Sequence, residues 1–134
     1  MKHLALTVYP YWGWAIIDGR KRIENRSWNT SYRGKIWIHT SRNFPPIPSV
    51  HKHLFEDAPD DFESGKIIGS VDLVDVVELN AVDRSDEAWA FGPLCFVLRN
   101  PRRLRRPLRA SGNTRLWTLP QGLTKQARYI HSQQ

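Results

Sequence analysis

The stretch Asp18-Gly19-Arg20-Lys21-Arg22-Ile23-Glu24-Asn25-Arg26-Ser27-Trp28 decides how the rest of the chain is read. An apolar helical pattern precedes this stretch and stops at Gly19, a residue that readily adopts the left-handed conformation in which helices commonly end. The residues after it carry too many charges for a core strand, while Ile23 and Trp28 are too apolar for a disordered tail. We therefore expect a short charged strand that leaves a helix and faces a cleft.

The alternation of side chains along a strand limits what this stretch can build. Successive side chains of a strand point to opposite faces, so Lys21 and Glu24 would lie on different faces of a regular strand. They could meet only across a bulge, or if Lys21 still lies in the turn after Gly19. The alternative interpretation is a surface ladder of ion pairs, which would stabilise the fold little. The sequence leaves open whether these two side chains meet.

Length and composition indicate one globular domain. The chain has 134 residues, 40% of them hydrophobic, and six tryptophans, a composition that excludes wholesale disorder. No apolar run approaches the ~18 residues of a membrane span, so we expect no membrane partner. The N-terminal segment lacks the layout of a signal peptide, and the single cysteine, Cys95, fits a reducing compartment. We expect a cytoplasmic protein.

The net charge of +7 is divided into blocks along the chain. Residues 1–42 carry eight Lys and Arg against two acids, and residues 99–134 carry nine against none. Residues 56–87 carry eleven acids against two bases. Both ends of the chain could thus assemble one electropositive face, which would attract polyanions and nucleic acid first. The alternative is a solvated surface that happens to be basic.

Strand and helix signals alternate with dense turn signals. Patterns typical of strands cover residues 4–9, 35–40, 66–77, 93–98 and 115–119, in addition to the charged strand. Short helical patterns cover residues 11–18, 49–56 and 83–89, and Gly69 inside a strand pattern predicts a bulge or a barrel corner. Residues 99–109 hold six arginines with Pro101 and Pro107, and we expect an edge strand or a strap across the barrel. The predicted fold class is α+β: a small mixed β-barrel of about six short strands with short helices packed around it.

Motifs for cofactors, metals and nucleophilic catalysis are not found. The sequence contains no glycine-rich phosphate loop, no paired metal-ligand motif and no nucleophile elbow, so we expect neither a cofactor nor a metal. His51 and His53 lie two positions apart and would not share a helix face. His39 is interpreted as a satisfied, partly buried histidine, and Cys95 as a packing residue. Trp12 and Trp14 are interpreted as core residues.

The spacing Gly19-x-Lys21-x-x-Glu24-x-Arg26, placed after a tryptophan-containing helix, resembles the signature of the ASCH domain family. The similarity continues through residues 32–38 and 64–75, and through Gly112-Asn113 with Leu116-Trp117 near the end. The resemblance implies a PUA-like β-barrel, with residues 1–134 as a single ASCH domain and a cleft between barrel and helix. Residues 121–134 would then be a basic C-terminal extension, for which a short helix is one interpretation.

The resemblance implies two kinds of function. Most members of the family are regarded as modules that bind RNA or other nucleic acids. Others are hydrolases: one branch removes the acetyl group from acetylcytidine, and another member is a ribonuclease. In the deacetylating branch a lysine acts with a threonine three residues later and a distal glutamate. Lys21 matches that lysine, Glu24 stands where the threonine would be, and Glu87 is a candidate for the distal acid. Tyr9 replaces the glutamine that usually precedes Pro10.

The first hypothesis is a nucleic-acid-binding module without catalysis, with RNA as partner in preference to DNA. Arg33, Lys35 and the arginines of residues 102–109 would hold phosphates. A small cleft would accept one unstacked or modified base, with Trp28 or Tyr32 for stacking. Glu24 or Asn113 would bind the edge of the base, and Glu24 suits an amino group such as that of cytosine. The candidate binding residues are Arg20, Lys21, Arg22, Glu24, Arg26, Trp28, Tyr32, Arg33, Lys35, Arg102, Arg103, Arg105, Arg106, Arg109 and Asn113.

The second hypothesis is a hydrolase of the ASCH type, an acetylcytidine amidohydrolase or a ribonuclease, in which Lys21 and Glu24 are catalytic. The neighbouring charges of Arg20 and Arg22 would disfavour the ammonium form of Lys21 and help it act as a base. A protein-interaction role and an unrelated small ligand in the cleft remain further alternatives. The sequence leaves open whether the chain is an enzyme, and it says nothing about the oligomeric state.

Overall fold

The computed structural model describes residues 3–130. The strands are β1 (Leu4–Val8), β2 (Ile23–Arg26), β3 (Gly34–Thr40), β4 (Lys66–Glu78), β5 (Leu94–Arg109) and β6 (Leu116–Thr118). They form one sheet in the order β2-β5-β4-β3-β1-β6, which curls into a half-barrel. β1 and β3 are parallel, and the other neighbouring strands are antiparallel. The expected mixed sheet of six strands is confirmed.

The helices are short, as the sequence predicts. The α-helix α1 spans Pro10–Asp18, and 3₁₀ helices span Ser49–Phe55, Leu79–Ala81, Arg84–Trp89 and Leu123–Gln126. No helix among the described residues is long and apolar enough to cross a membrane. Pro10 occupies the start of α1, where its missing N–H is not needed. Gly19 ends the helix with a φ of 93°, and its N–H donates to the carbonyl of Ile16. The predicted end of the helix at Gly19 is confirmed.

One strand is much longer than predicted. β5 has 16 residues, so its arginine-rich half continues the strand that begins at Leu94, whereas β4, with 13 residues, is close to the predicted range 66–77. This half pairs with β4 from Gly69–Arg103 to Lys66–Arg109. Its other edge bonds to residues 128–130, including a bridge between Leu104 and Tyr129. The expectation of a strap across the barrel is therefore wrong, because these residues belong to the sheet itself.

Bulges explain how β5 holds two prolines. The register between β4 and β5 shifts between Ile67 and Gly69 and again between Ser70 and Asp72. Pro101 and Pro107 lie opposite these shifts, where the ladder does not require their missing N–H groups. A Cβ at Gly69 would collide with the carbonyl oxygen of Arg102, so the strands approach here closely enough to require glycine. The bulge predicted at Gly69 is confirmed.

Three apolar clusters hold the fold together. The largest lies inside the curled sheet and includes Leu6, Ile38 and Phe96. A second cluster lies around Trp37 and Leu104, and the segment after β6 packs on it through residues that include Leu123 and Tyr129. The part of residues 121–134 that is described thus packs against the domain, and residues 131–134 lie outside the described residues.

The third cluster fixes the position of the charged stretch. It joins Tyr11 and Ala15 of α1 to Ile23 of β2 and to Phe55 and Trp89 of two 3₁₀ helices. Trp12 and Trp14, interpreted from the sequence as core residues, are partly buried and pack against this cluster. The end of α1 and the start of β2 are therefore held against one apolar core.

Candidate functional site

Lys21 and Glu24 meet because Lys21 precedes the strand. The backbone N–H of Lys21 donates to the carbonyl of Ala15 at 3.1 Å, so Lys21 lies in the turn after Gly19, and β2 begins only at Ile23. From this turn the Nζ atom of Lys21 reaches Oε1 of Glu24 at 3.3 Å. The alternation of strand side chains therefore does not separate the two residues. Sequence reasoning left this question open, and the turn answers it.

The ammonium group of Lys21 is almost completely buried, with the residue 2% exposed. Its Nζ also donates to the carbonyl of Ile23, and it lies 5.1 Å from the ring centre of Trp12 and 6.0 Å from that of Trp89. Burial lowers the pKa of Lys21, and the nearby carboxylate of Glu24 opposes this shift. The expectation that Arg20 and Arg22 would disfavour the ammonium named the wrong main cause, because burial has the largest effect.

The carboxylate of Glu24 is held between two cations. Arg26 donates from Nε to Oε2 of Glu24, and its Nη2 lies 3.0 Å from the same oxygen. Lys21 approaches the other oxygen, Oε1. Arg26 also donates from Nη2 to the carbonyl of Thr7 at 2.8 Å, which ties the group to β1. A carboxylate offers about four acceptor positions. Among the described residues, Lys21 alone contacts Oε1, so Oε1 keeps an acceptor position for a ligand.

An open cavity of about 370 Å³ lies in front of this carboxylate. We call it the Glu24 cavity. Its lining residues are Thr7, Val8, Tyr9, Trp12, Glu24, Asn25, Arg26 and Ser41. Lys21 is not among them, so its ammonium lies behind Glu24 rather than at the surface of the cavity. The Glu24 cavity lies between α1, β1 and β2.

Sequence reasoning missed most of the lining. Thr7, Ser41 and Asn25 carry no periodic or motif signal. They become neighbours only when the curled sheet brings β2 close to β1 and to the end of β3. Asn25 has a further role: its Oδ1 accepts from the backbone N–H groups of Phe91 and Gly92 at 2.7 and 2.9 Å. The loop after the 3₁₀ helix Arg84–Trp89 is therefore fixed beside the cavity.

Arg20 and Arg22 are engaged in ion pairs away from the cavity. Arg20 contacts Asp18 at 2.9 Å and Asp57 at 2.6 Å, and its guanidinium lies over the ring of Trp14. Arg22 contacts the buried carboxylate of Asp86 at 2.9 Å. Both side chains thus connect the charged stretch to neighbouring loops. Glu87, the candidate distal acid, is exposed in the 3₁₀ helix Arg84–Trp89 and does not line the cavity.

Trp28 and Tyr32, the predicted stacking residues, lie outside the lining of the cavity. Both are partly buried and pack on the core inside the sheet. The ring of Trp28 meets Phe96 edge to face at 5.1 Å, and the guanidinium of Arg115 lies over it at 5.2 Å. The hydroxyl of Tyr32 donates to the carbonyl of Lys35 at 2.7 Å. The structure does not bring these two rings to Glu24.

The remaining predicted residues outside β5 are spread over the surface. Arg33 is exposed, 3.7 Å from Asp75. Lys35 lies over the ring of Trp37 at 4.3 Å. Asn113 is exposed in the loop before β6, where its Oδ1 accepts from the next N–H group. None of the three lines the Glu24 cavity.

The arginines of β5 differ in their contacts. Arg102 pairs with Asp72 at 2.6 Å. Arg99 lies 3.8 Å from Asp86. Within residues 3–130, no ion pair is formed by the remaining four, which are Arg103, Arg105, Arg106 and Arg109. Arg103 and Arg105 line a second groove of about 320 Å³ on the other side of α1, next to Trp14. These four guanidinium groups are available to anions.

The structure agrees with the interpretation of His39 as a satisfied histidine, whereas the expected absence of a metal stays a prediction. His39 is buried, with Nδ1 3.1 Å from Oγ1 of Thr7 and Nε2 2.6 Å from the carbonyl of Ala110. Burial lowers its pKa, so the neutral ring is favoured. His39 is thus a satisfied histidine. No group of three metal-ligating side chains is found in the described part of the chain.

Comparisons with known proteins identify the family. The model of the ASCH domain matches residues 6–129. Activating signal cointegrator 1 of Homo sapiens is 30% identical over 128 residues, and that of Mus musculus is 28% identical. Each alignment covers 85% of this chain and 22% of the relative, so the chain spans about a fifth of the length of these relatives.

Solved structures support the same fold. The crystal structure of ASCH from Zymomonas mobilis has a TM-score of 0.59 and 16% identity, with 97% of this chain and 99% of that chain covered. A mutant form of the same protein has a TM-score of 0.56 and covers 92% of each chain. The PUA-like fold expected from the resemblance is confirmed. With the family model matching nearly the whole chain, this protein belongs to the ASCH domain family.

Proposed function

We propose that this chain binds nucleic acid, RNA in preference to DNA, and accepts one unstacked base in the Glu24 cavity. The ASCH family is suggested to bind RNA, and the structure offers a cavity of suitable chemistry. The observation that carries the proposal is the carboxylate of Glu24. It lines the cavity beside the ring of Trp12, it is held by two cations, and it keeps one free acceptor position.

This arrangement suits a base with an exocyclic amino group. An amino group donates hydrogen bonds, which the free position on Oε1 of Glu24 can accept, and carboxylates recognise the amino group of cytosine in this way. Trp12 supplies an aromatic wall. Uracil presents a carbonyl where cytosine presents the amino group. Its carbonyl oxygen would therefore lie opposite the carboxylate of Glu24, and both groups can only accept hydrogen bonds.

The phosphates would be held by arginines that have no ion pair among the described residues. Arg105, Arg106 and Arg109 are exposed along β5, and guanidinium groups suit phosphate oxygens. Phosphate contacts position a strand without reading its sequence. Base recognition and phosphate binding would therefore be divided between the cavity and β5.

The proposal is tested by fluorescence anisotropy with labelled pentamers of cytidine and of uridine, each as RNA and as DNA. We expect cytidine RNA to bind about 5- to 150-fold more tightly than uridine RNA, which corresponds to the discrimination of one good edge contact. The affinity should also fall steeply with salt. Equal affinity for the two bases would contradict the role of Glu24.

The arginines are tested by replacing two of them together. Arg105→Ala/Arg106→Ala should weaken binding of all pentamers about equally and reduce the salt dependence, because only phosphate contacts are lost. Arg115→Ala is a suitable control for the loss of surface charge, since Arg115 lies over Trp28 rather than on β5. Undiminished binding by the double variant would exclude β5 from the interface.

Hydrolysis in the same cavity is the second candidate, favoured by one observation. The buried Lys21, whose pKa burial lowers, contacts the carboxylate that lines the cavity. Glu24 would activate a water molecule, and Lys21 would hold the carboxylate of Glu24 in position from behind. The test is turnover of acetylcytidine and of single-stranded RNA by the wild type and by folded Glu24→Gln. Turnover by the wild type that the folded variant loses supports this role, and no turnover by the wild type ends it.

A further inference from the structure

Exposed aromatic side chains lie in the wall of the Glu24 cavity and next to it. Tyr9, which lines the cavity, is 42% exposed, and Phe91, which packs beside the lining residue Trp12, is 41% exposed. Folding normally buries rings of this size, and clustered exposed apolar surface in a monomer often marks a binding site. We call Tyr9, Phe91 and the adjacent His51 the aromatic rim.

The aromatic rim is continuous with the wall of the cavity. Tyr9 itself lines the cavity, immediately before α1. On another side, Trp12 lines the cavity and lies 6.2 Å from the ring of Phe91 and 5.6 Å from that of His51. The rings of Phe91 and His51 are 4.5 Å apart at 33°. The rim therefore places flat surfaces next to the position of a bound base.

A residue of the cavity holds Phe91 in place. The side chain of Asn25 accepts from the N–H groups of Phe91 and Gly92 through Oδ1 and donates from Nδ2 to the carbonyl of Trp89. The backbone that presents Phe91 is thus fixed in register with Glu24, the neighbour of Asn25 on β2.

The charge of the cavity lining suits a polyanion with exposed bases. Among the residues that line the Glu24 cavity, Glu24 is the one acid, and both Lys21 and Arg26 neutralise it. A lining without net negative charge admits a phosphate backbone, and every nucleobase has a face that can stack on an aromatic ring. The neighbouring bases of a single strand that places one base in the cavity can therefore stack on the rim beside it.

The geometry points to the aromatic rim as the stacking platform for the nucleotides that flank the base in the Glu24 cavity, so that the ligand is a single-stranded segment of at least three nucleotides. This inference rests on the proposed function. It assigns stacking to Tyr9, Phe91 and His51, in place of Trp28 and Tyr32, whose rings pack against the core. A double-stranded ligand would hide its base faces and could not use the rim.

The test compares Phe91→Leu with Phe91→Trp. Both keep a large apolar side chain, but only tryptophan keeps a flat ring, so a loss confined to leucine identifies stacking. Binding of a cytidine pentamer of RNA should weaken at least about fivefold in Phe91→Leu and remain near wild type in Phe91→Trp. The salt dependence should not change, because no phosphate contact is lost. Val74→Ala is the control, since Val74 is 46% exposed and does not line the cavity.

A second measurement reads the stacking directly. A pentamer with 2-aminopurine next to its central cytidine should lose fluorescence on binding to the wild type, because stacking on an aromatic ring quenches it, and should lose less on Phe91→Leu. Equal affinity and equal quenching in wild type and Phe91→Leu would overturn the aromatic rim while leaving the proposed function intact. If the wild type binds no pentamer at low salt, the proposed function fails and this inference fails with it.

Discussion

Replacement of Glu24 by glutamine removes one charge from a buried pair and keeps the shape of the side chain. Lys21 is 2% exposed, so in this variant its ammonium would be buried with uncharged partners only: the carbonyl of Ile23, two indole faces and the side-chain amide that replaces the carboxylate. Breaking a buried ion pair by removing one partner costs about 3–5 kcal/mol, because the other charge is left without compensation. We expect Glu24→Gln to destabilise the fold by about this amount at pH 7.

The loss of stability in Glu24→Gln has an upper limit that depends on pH, because the buried Lys21 can release its proton instead of staying charged. The ordinary pKa of lysine is 10.5, so neutralising Lys21 costs at most about 5 kcal/mol at pH 7 and about 2 kcal/mol at pH 9. In this variant the unfolded chain binds a proton that the folded chain has lost, so stability rises with pH. The destabilisation by Glu24→Gln should therefore be smaller at pH 9 than at pH 7.

The assay is urea unfolding at both pH values, followed by tryptophan fluorescence. Lys21→Met should lower the free energy of unfolding by less than about 1.5 kcal/mol. It removes the buried charge, keeps the volume of the side chain and leaves Glu24 paired with Arg26. Glu63→Gln is the matched control: Glu63 pairs with Lys66 at 2.7 Å on the surface, and its loss should stay below about 1 kcal/mol. The reasoning is refuted if Glu24→Gln loses no more than Glu63→Gln, or loses more at pH 9 than at pH 7.

Three further outcomes concern the fold around the site. Because burial lowers the pKa of His39, the unfolded state binds more protons than the folded state below about pH 6.5, so stability should decrease as the pH is lowered through this range, and a pH series of urea unfolding checks this. Gly69→Ala should cost about 3 kcal/mol or more in thermal unfolding, because its Cβ meets a backbone carbonyl. Arg22→Ala should cost more than Arg106→Ala, since it leaves the buried Asp86 with only the distant Arg99 at 3.8 Å.

Local signals were sufficient for most of the fold. Pro10 and Gly19 have conformational preferences that fix the two ends of α1 regardless of the rest of the chain, and Gly69 marked a bulge. The length of β5 could not be predicted, because Pro101 and Pro107 normally end a strand. Only the bulges opposite them allow the strand to continue, and those bulges depend on the partner strand.

The charged centre of the site could be predicted from the sequence, but the residues around it could not. The spacing of Lys21, Glu24 and Arg26 marked the centre, but the turn that lets Lys21 reach Glu24 depends on the hydrogen bond from the backbone N–H of Lys21 to the carbonyl of Ala15. Tyr9 and Phe91 carry no signal that separates an exposed ring from a core ring. Their exposure follows from the three-dimensional position of α1 and of the loop that Asn25 holds.

The most direct test of the central claim is an NMR titration of the ¹⁵N-labelled protein with a cytidine pentamer of RNA, following the indole N–H signals and the side-chain amide of Asn25. The account predicts that the signals of Trp12 and Asn25, which line the Glu24 cavity, shift on binding. The signal of Trp28, which packs on Phe96 and does not line the cavity, should stay unchanged. Binding that shifts Trp28 and leaves Trp12 and Asn25 unmoved would place the ligand elsewhere and contradict this prediction.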